Sequence, residues 1–359
     1  MSKRIFISDV HMGANDKPKD AAHDYDWLGK KEAATFAGFL NYLESYKDLE
    51  EVVLLGDLFD NWVVPIDHTP PAFQEICAAG KNKPVMDALM NLAGKVPVMI
   101  FPGNHDMGLT EKIVKELFGS KILFGGTAET CSIFRAGRLR AEHGCAHAMF
   151  NAPDPKNWPG ERLPLGYFIS RVSASQKFRT GESRRHYGSY IDELLELLGP
   201  QSLSQTVFDG ICKDAGVGQD DKIFMPGGTP ITVCEVRDKY RDLYSQWEEQ
   251  VGKGLAFKAM MAEIGWLEDA ADRLCKKGGT NTVIFGHSHN WALDKDVWFT
   301  NQPRIYANCG CWCDDDKKTT VVETEKIKGE KQISYMVRVL EWKDRGFSLL
   351  KEESIDTSW

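Results

Sequence analysis

Short runs rich in β-branched and aromatic residues recur along the chain, and each gives way within a few residues to glycine or aspartate. They occupy residues 5–7, 52–55, 98–101 and 283–285. Between the first two, Phe36, Phe39, Leu40 and Leu43 follow the three-to-four spacing of a buried helix face within residues 30–46. Residues 82–92 and 111–118 carry the same helical pattern. This alternation predicts a layered α/β domain.

The residue pattern of the sequence changes after His147. Four prolines between residues 153 and 164 exclude regular structure there. The pattern up to about residue 277 is then helical, notably over 190–198 and over 232–275, with a break near Gly252 and Gly254. Strand patterns return at 282–285, 304–308 and 335–342. We therefore predict a main domain made of residues 1–149 and 279–359, carrying an inserted helical cap of residues 150–278.

Composition narrows the function and the compartment. The 44 basic and 52 acidic residues give a net charge of −8, so the chain lacks the overall excess of basic residues that is typical of nucleic-acid-binding proteins. Nine scattered cysteines indicate no disulfide framework, and the opening Met-Ser-Lys-Arg is no secretory signal. No apolar run reaches the roughly 18 residues of a transmembrane helix. We expect a cytoplasmic protein without a transmembrane segment; peripheral membrane contact stays open, and nothing in the sequence indicates an oligomeric state.

Polar motifs end the candidate strands. They place acidic, imidazole and amide side chains at the following positions: Asp9, His11, Asp57, Asp60, Asn104, His105, Asp106, His143, His287 and His289. Ligands bind at the carboxyl edge of open α/β sheets, so these groups are expected to meet there. In an extended segment residues i and i+2 point to the same side, which lets Asp9 converge with His11 and His287 with His289.

Oxygen and imidazole ligands without thiolate suit hard or borderline divalent ions such as Mn²⁺, Fe²⁺ or Zn²⁺. Asp57 is central and has two carboxylate oxygens, so it is the natural bridge between two ions. Asp60 is interpreted as a partner that orients a ligand histidine rather than as a ligand itself.

Five motifs, in the order DVH, GDLFD, GNHD, EHG and GHSH, resemble those of the calcineurin-like metallophosphoesterase superfamily. The resemblance covers roughly residues 1–147 and 280–345. It implies a four-layer α/β/β/α sandwich in which the main domain is catalytic. It also implies hydrolysis of a phosphodiester, pyrophosphate or phosphomonoester bond by a metal-bridging hydroxide.

The same resemblance implies two divalent ions, which we expect to be Mn²⁺, with Fe²⁺ or Zn²⁺ as alternatives. One ion would be held by Asp9, His11, Asp57 and His289. The other would be held by Asp57, Asn104, His143 and His287. His105, paired with Asp106, would contact the phosphate beside Asn104 and protonate or stabilise the leaving group.

Residues 56–62 and 308–312 further resemble the UDP-2,3-diacylglucosamine pyrophosphatase branch of this superfamily. This chain differs from that branch at His105, where the branch has an arginine, at Cys145, where it has an acid, and in its longer cap. The resemblance implies a small phosphorylated substrate, nucleotide- or lipid-linked. The alternative from a different class is a non-catalytic scaffold for protein binding, which would be expected to have lost metal ligands.

Two groups of residues have open interpretations. Arg184 and Arg185, with Arg179 and His186 nearby, would either bind a substrate phosphate or form a solvated basic turn. Cys309, Cys311 and Cys313 would share one face if their segment is extended. Because the C-x-x-C spacing of a zinc site is absent, we interpret them as small buried residues beside the active site.

Overall fold

The computed structural model describes residues 2–15, 25–126, 132–180, 203–296, 303–328 and 333–356. Its strands are β1 (Ser2–Ile7), β2 (Leu49–Leu55), β3 (Val98–Phe101), β4 (Ile122–Phe124), β5 (Phe134–Ala136), β6 (Leu139–Ala141), β7 (Lys222–Ile223), β8 (Ile231–Thr232), β9 (Thr282–Phe285), β10 (Ala292–Asp296), β11 (Arg304–Asn308), β12 (Thr320–Lys328), β13 (Ile333–Lys343) and β14 (Gly346–Asp356). Its helices are α1 (Lys30–Leu43), α2 (Phe73–Ala78), α3 (Lys83–Ala93), α4 (Glu111–Phe118), α5 (Leu165–Thr180), α6 (Leu203–Asp214), α7 (Val233–Lys239), α8 (Leu243–Val251), α9 (Lys253–Met261) and α10 (Glu268–Lys276).

Two mixed sheets form the main domain. The first has the order β14-β13-β12-β1-β2-β3-β4, in which β1 to β4 are parallel and β12 to β14 are antiparallel. The second has the order β10-β11-β9-β6-β5, with β6, β9 and β11 parallel. The short β7-β8 ribbon lies apart from both sheets.

Alternating side chains bury both faces of the inner strands. In β1, Ile5 and Ile7 join the core that includes α1 and α3, whereas Phe6 joins the core between the sheets. In β9, Ile284 lies between the sheets, and Val283 and Phe285 pack with residues of α10 on the opposite face. Strands covered on both faces read as continuous apolar runs, as these do. The predicted four-layer α/β/β/α sandwich is confirmed.

The segment predicted as a cap has its own apolar core. Helices α5 to α9 contribute buried side chains to it, and Trp62 and Met107, which follow β2 and β3, belong to the same core. The predicted helical run over 232–275 is interrupted at residues 240–242 and at Gly265, which has a φ of 103°. The run over 190–198 lies outside the described residues, and the exact domain division stays a prediction. No described helix is long and apolar enough to cross a bilayer.

Candidate metal centre

The ends of five strands, β1, β2 and β3 of the first sheet and β6 and β9 of the second, bring the candidate ligands together. Five of the seven have a left-handed backbone, with φ between 54° and 69°: Asp9, His11, Asp57, His287 and His289. Only nine described non-glycine residues have a positive φ, so this conformation is concentrated here. The left-handed conformation is unfavourable for residues with a Cβ and, where it occurs in them, is often found at functional sites.

The prediction that these segments are extended is therefore wrong, although the expected convergence of Asp9 with His11 is observed. β1 ends at Ile7. Asp9 and His11 converge because both adopt the left-handed conformation, not because an extended strand alternates its side chains. Backbone bonds from Val10 and His11 to the carbonyl of Asp57 (2.9 Å each) hold this turn against the loop after β2.

One group of ligand atoms surrounds His11. Its Nε2 lies 3.1 Å from His289 Nε2, 3.7 Å from Asp57 Oδ2 and 3.8 Å from Asp9 Oδ1. His289 Nε2 lies 3.4 Å from the same Asp9 oxygen. The Nδ1 of His11 faces Asp60 Oδ2 at 3.1 Å, and the carboxylate selects the tautomer in which Nδ1 carries the proton. The Nε2 lone pair then points at the centre of the group.

A second group surrounds His143. Its Nε2 lies 3.0 Å from Asn104 Oδ1 and 3.2 Å from Asp57 Oδ2, and its Nδ1 lies 3.1 Å from the Leu55 carbonyl. The His287 ring meets the His143 ring edge to face at 5.3 Å between centroids. Asp57 Oδ2 thus faces both groups. All seven predicted ligands lie in one cluster.

Charge and hydrogen bonding at this cluster fit divalent cations. Asp9 Oδ1 is buried with no hydrogen-bond partner among the described residues. Burial would raise the pKa of Asp57, but the neighbouring His143 and His105 lower it to about 2. Burial likewise opposes protonation of His11 and His143, but the surrounding carboxylates raise the pKa of each to about 9. Buried carboxylate oxygens and convergent imidazole nitrogens are the donor set that Mn²⁺, Fe²⁺ or Zn²⁺ would satisfy.

His105 has a different partner from the one predicted. Its Nδ1 lies 3.0 Å from Asp60 Oδ1, whereas the hydrogen bonds of the Asp106 carboxylate are to backbone N–H groups. The predicted His105–Asp106 pair is wrong. Asp60 therefore contacts His105 with one oxygen and His11 with the other.

Asp106 is instead enclosed by backbone. Its carboxylate accepts hydrogen bonds from the N–H groups of Gly103 (2.6 Å), Leu58 (3.0 Å), Asp57 (3.2 Å) and Phe59 (3.3 Å). These bonds tie the loop after β2 to the loop after β3. Burial and the charge of Asp57 raise the pKa of Asp106 to about 7.

A cavity of about 330 Å³ opens onto the cluster. His105 and His287 line it on one side, and Asn151, Ser170 and Glu263 line it from the 150–278 segment. That segment reaches the cluster directly, because Asn104 Nδ2 donates to Asn151 Oδ1 (3.2 Å) and Asn151 donates to Glu263 (2.7 Å). Arg184 and Arg185 lie outside the described residues, so their predicted contact with substrate stays a prediction.

Sequence reasoning missed a buried arginine that fixes the loop after β2. Arg171, on α5, donates to the carbonyls of Val64 (2.6 Å), Pro65 (2.9 Å) and His68 (2.5 Å). It is fully buried, and a guanidinium can satisfy several carbonyls at once. The same loop presents Trp62, whose ring lies 4.5 Å from His105. No local sequence signal marks Arg171 as the residue that holds this loop, since the three carbonyls belong to residues more than a hundred positions away.

The cysteines do not share one face. β11 ends at Asn308, and the chain turns at Gly310, which has a φ of 71°. Cys309 therefore lies between the sheets, whereas Cys311 and Cys313 lie beside His289. All three are buried. Asp314, which the sequence analysis did not select, faces His289 Nδ1 at 3.1 Å.

The sequence model of the calcineurin-like phosphoesterase family matches residues 2–291. The chain belongs to this family. The match spans every strand end that carries a candidate ligand. The family assignment and the clusters of histidine and aspartate together support a metal-dependent phosphoesterase. No curated protein matches the chain.

Three solved structures show a distant similarity to the chain. Vps29 of Chaetomium thermophilum is 10% identical, with 99% of this chain and 96% of that chain covered and a TM-score of 0.32. GAP50, the anchor in the inner membrane complex of Plasmodium, is 10% identical, with 99% and 88% covered and a TM-score of 0.35. The calcineurin-like phosphoesterase YfkN of Bacillus subtilis is 11% identical, with 99% and 90% covered and a TM-score of 0.31. At these TM-scores the three structures add nothing to the family assignment.

Proposed function

We propose that this member of the family is a dinuclear metal-dependent phosphoesterase. The position of Asp57 carries the proposal. Its Oδ2 lies 3.2 Å from His143 Nε2 and 3.7 Å from His11 Nε2, between two groups of donor atoms. One carboxylate oxygen facing both groups is the arrangement that a bridge between two ions requires.

We assign the ligands as the motifs imply. Asp9, His11, Asp57 and His289 would hold one ion, and Asp57, Asn104, His143 and His287 the other. The ions, which we expect to be Mn²⁺, would supply Lewis-acid polarisation of a phosphoryl oxygen and acidify the attacking water. Asp60 would fix the rings of His11 and His105, and Asp106 would hold the two loops that carry Asp57 and Asn104.

His105 would transfer the proton to the leaving oxygen. Its Nδ1 is engaged by Asp60, so its Nε2 is the nitrogen available to substrate. Burial lowers the pKa of His105 in the free protein, against the opposing charges of Asp60 and Asp57. A bound phosphate adds negative charge, which favours the protonated imidazole that a general acid needs.

The substrate class is a small phosphorylated molecule, nucleotide- or lipid-linked, and we place the protein in the cytoplasm. Cleavage of a pyrophosphate in a UDP-diacylglucosamine-type substrate is the finer proposal. It rests on residues 56–62 and 308–312. Arg184 and Arg185 would bind a second anionic group of that substrate, so their charge reversal should raise KM for it and spare a small aryl phosphate.

The test is a substrate panel with the metal-loaded full chain. The panel contains an aryl phosphomonoester, an aryl phosphodiester, dinucleoside polyphosphates and nucleotide-sugar lipids. Asp57→Asn serves as the inactive comparison, and Asp67→Asn, whose side chain is 54% exposed, as the matched control. We expect turnover in the wild type and in the control only. Metal-loaded protein without turnover on any of these bonds would contradict the proposal and favour the scaffold alternative.

A further inference from the structure

Four side chains meet on the side of His289 that faces away from the dinuclear cluster. They are His289, Cys311, Cys313 and Asp314, and one ligand atom from each lies within 4.8 Å of all the others. The proposed phosphoesterase uses only the Nε2 of His289. Its Nδ1 faces away from that centre, toward Asp314 Oδ2 at 3.1 Å and Cys313 Sγ at 3.9 Å.

The distances between these atoms are close to the edges of a zinc tetrahedron. Zn–S bonds of about 2.3 Å and Zn–N or Zn–O bonds of about 2.05 Å place neighbouring N and O ligands about 3.4 Å apart, and S about 3.6 Å from N or O. His289 Nδ1 lies 3.1 Å from Asp314 Oδ2, and Cys311 Sγ lies 3.5 Å from that oxygen. Cys313 Sγ lies 3.9 Å from His289 Nδ1. Small side-chain rotations would complete a four-ligand shell.

The loop that carries the thiols is held in place independently of any ion. Trp312, between the two cysteines, is buried against Phe36 and Phe39, and its backbone N–H donates to the Asp9 carbonyl (3.0 Å). The left-handed Gly310 cannot take a side chain, because a Cβ there would lie 2.2 Å from Thr320 Oγ1. Rigid supporting elements are what a preorganised metal site needs.

A cation can reach the cluster from the protein surface, and a nearby lysine offsets part of the negative charge of its ligands. Cys311 and Cys313 are nearly fully buried, but Asp314 reaches the edge of the protein, where Asp315 and Asp316 are exposed and would attract a cation. Lys317 Nζ lies 3.3 Å from Asp314 Oδ2 and offsets part of the negative charge that two thiolates would add.

We propose that His289, Cys311, Cys313 and Asp314 form a third metal site, selective for a thiophilic divalent cation such as Zn²⁺. Binding would take both cysteines as thiolates and release the remaining thiol protons and the His289 Nδ1 proton to solvent, and the resulting imidazolate would then join this site to the dinuclear centre. Thiolates favour Zn²⁺ over Mn²⁺, so Mn²⁺ should leave this site empty. The absence of a C-x-x-C motif is no obstacle, because the turn at Gly310 and the distant His289 supply the geometry.

The experiment counts ions in the reduced full chain after loading with Zn²⁺ or with Mn²⁺. The double variant Cys311→Ser/Cys313→Ser is compared with wild type and with the control Cys234→Ser, a partly buried cysteine on α7. We expect three Zn²⁺ ions in wild type and control, and two in the double variant. Mn²⁺ loading should give two in all three proteins.

Loading with Co²⁺ gives a readout that does not depend on the variant folding. Thiolate-bound Co²⁺ should produce a sulfur-to-metal charge-transfer absorption in the near ultraviolet in wild type, and thiol titration should find two fewer reactive cysteines. No such absorption, or a Cys311–Cys313 disulfide in the purified chain, would overturn the proposal. The absorption should persist if the dinuclear centre fails to bind Mn²⁺, so failure of the phosphoesterase proposal is distinguishable.

Discussion

Asp60 Oδ1 lies 3.0 Å from His105 Nδ1. The other oxygen of the same carboxylate lies 3.1 Å from His11 Nδ1. One buried acid therefore orients both a proposed metal ligand and the proposed proton donor. Burial would raise the pKa of Asp60, but charge interactions and hydrogen bonds with the His105 and His11 rings hold it well below its usual range, so the carboxylate stays ionised.

Replacement of Asp60 should weaken metal binding and chemistry together. Asp60→Asn keeps the shape but removes the charge that fixes both imidazoles. Loss of such a supporting group typically costs about 10-fold to 100-fold in metal affinity or activity. Metal titration and steady-state kinetics measure the two effects, with the exposed Asp67→Asn as control. Unchanged metal affinity would show that Asp60 does not act through His11.

Replacement of His105 should separate binding from chemistry. His105→Ala should keep both ions and lower turnover by roughly 10² to 10⁴, the range for a removed general acid. The loss should shrink for aryl esters with good leaving groups, because these need less protonation. Elemental analysis and a leaving-group series check both points. Metal loss in this variant would make His105 a ligand.

Replacement of Asp106 should lower the stability of the folded protein. Asp106→Ala leaves four buried backbone N–H groups without an acceptor, and each unsatisfied donor costs about 1–3 kcal/mol. Part of that loss is offset because the ionised carboxylate is itself unfavourably buried beside Asp57. We expect the free energy of unfolding, measured by urea denaturation, to fall by about 2–4 kcal/mol. Asp87→Ala, at a side chain 64% exposed, should change it by less than about 0.5 kcal/mol.

The ligand positions were predictable because each directly follows an apolar strand, and parallel strands bring their carboxyl ends to one edge. Their partners were not. Asp60, rather than Asp106, contacts His105. Both acids lie in turns, and the geometry of a turn decides which neighbour a side chain contacts. Asp314 stands in an acidic run that resembles a solvated loop, and its contact with His289 spans 25 residues.

Strand β12 was not predicted from the sequence, for a related reason. Its sequence places Glu323 and Glu325 among apolar residues, which argues against a central strand, yet both are buried. Arg338 on β13 contacts both carboxylates at 2.7 Å. The compensating charge is supplied by a neighbouring strand, and such pairing is visible only once the register is known.

The metal-stripped protein should lose stability as pH rises from about 6.5 to 9. His11 and His143 have folded pKa values near 9, above the unfolded value of 6.5. Their contribution is complete below 6.5 and is lost as pH rises through 9. The Cys311 thiol acts in the opposite direction, since its contact with Cys313 lowers its pKa to about 6, but it is outweighed.

Urea unfolding across this range measures the effect. The metal-loaded protein should change much less, because ions replace the protons on both imidazoles. A stripped protein that gains stability between pH 6.5 and 9 would show that the two histidines are not held protonated by the carboxylates around them.

The central claim is that Asp57 joins two ions in one centre, and metal counting tests it most directly. Wild type, Asp57→Asn and the control Asp67→Asn are loaded with Mn²⁺, freed of excess and analysed for metal by elemental analysis, with thermal melts to confirm folding. We predict two ions per chain in wild type and control, and fewer than one in Asp57→Asn. One ion or none in the wild type, or two in folded Asp57→Asn, would contradict the account.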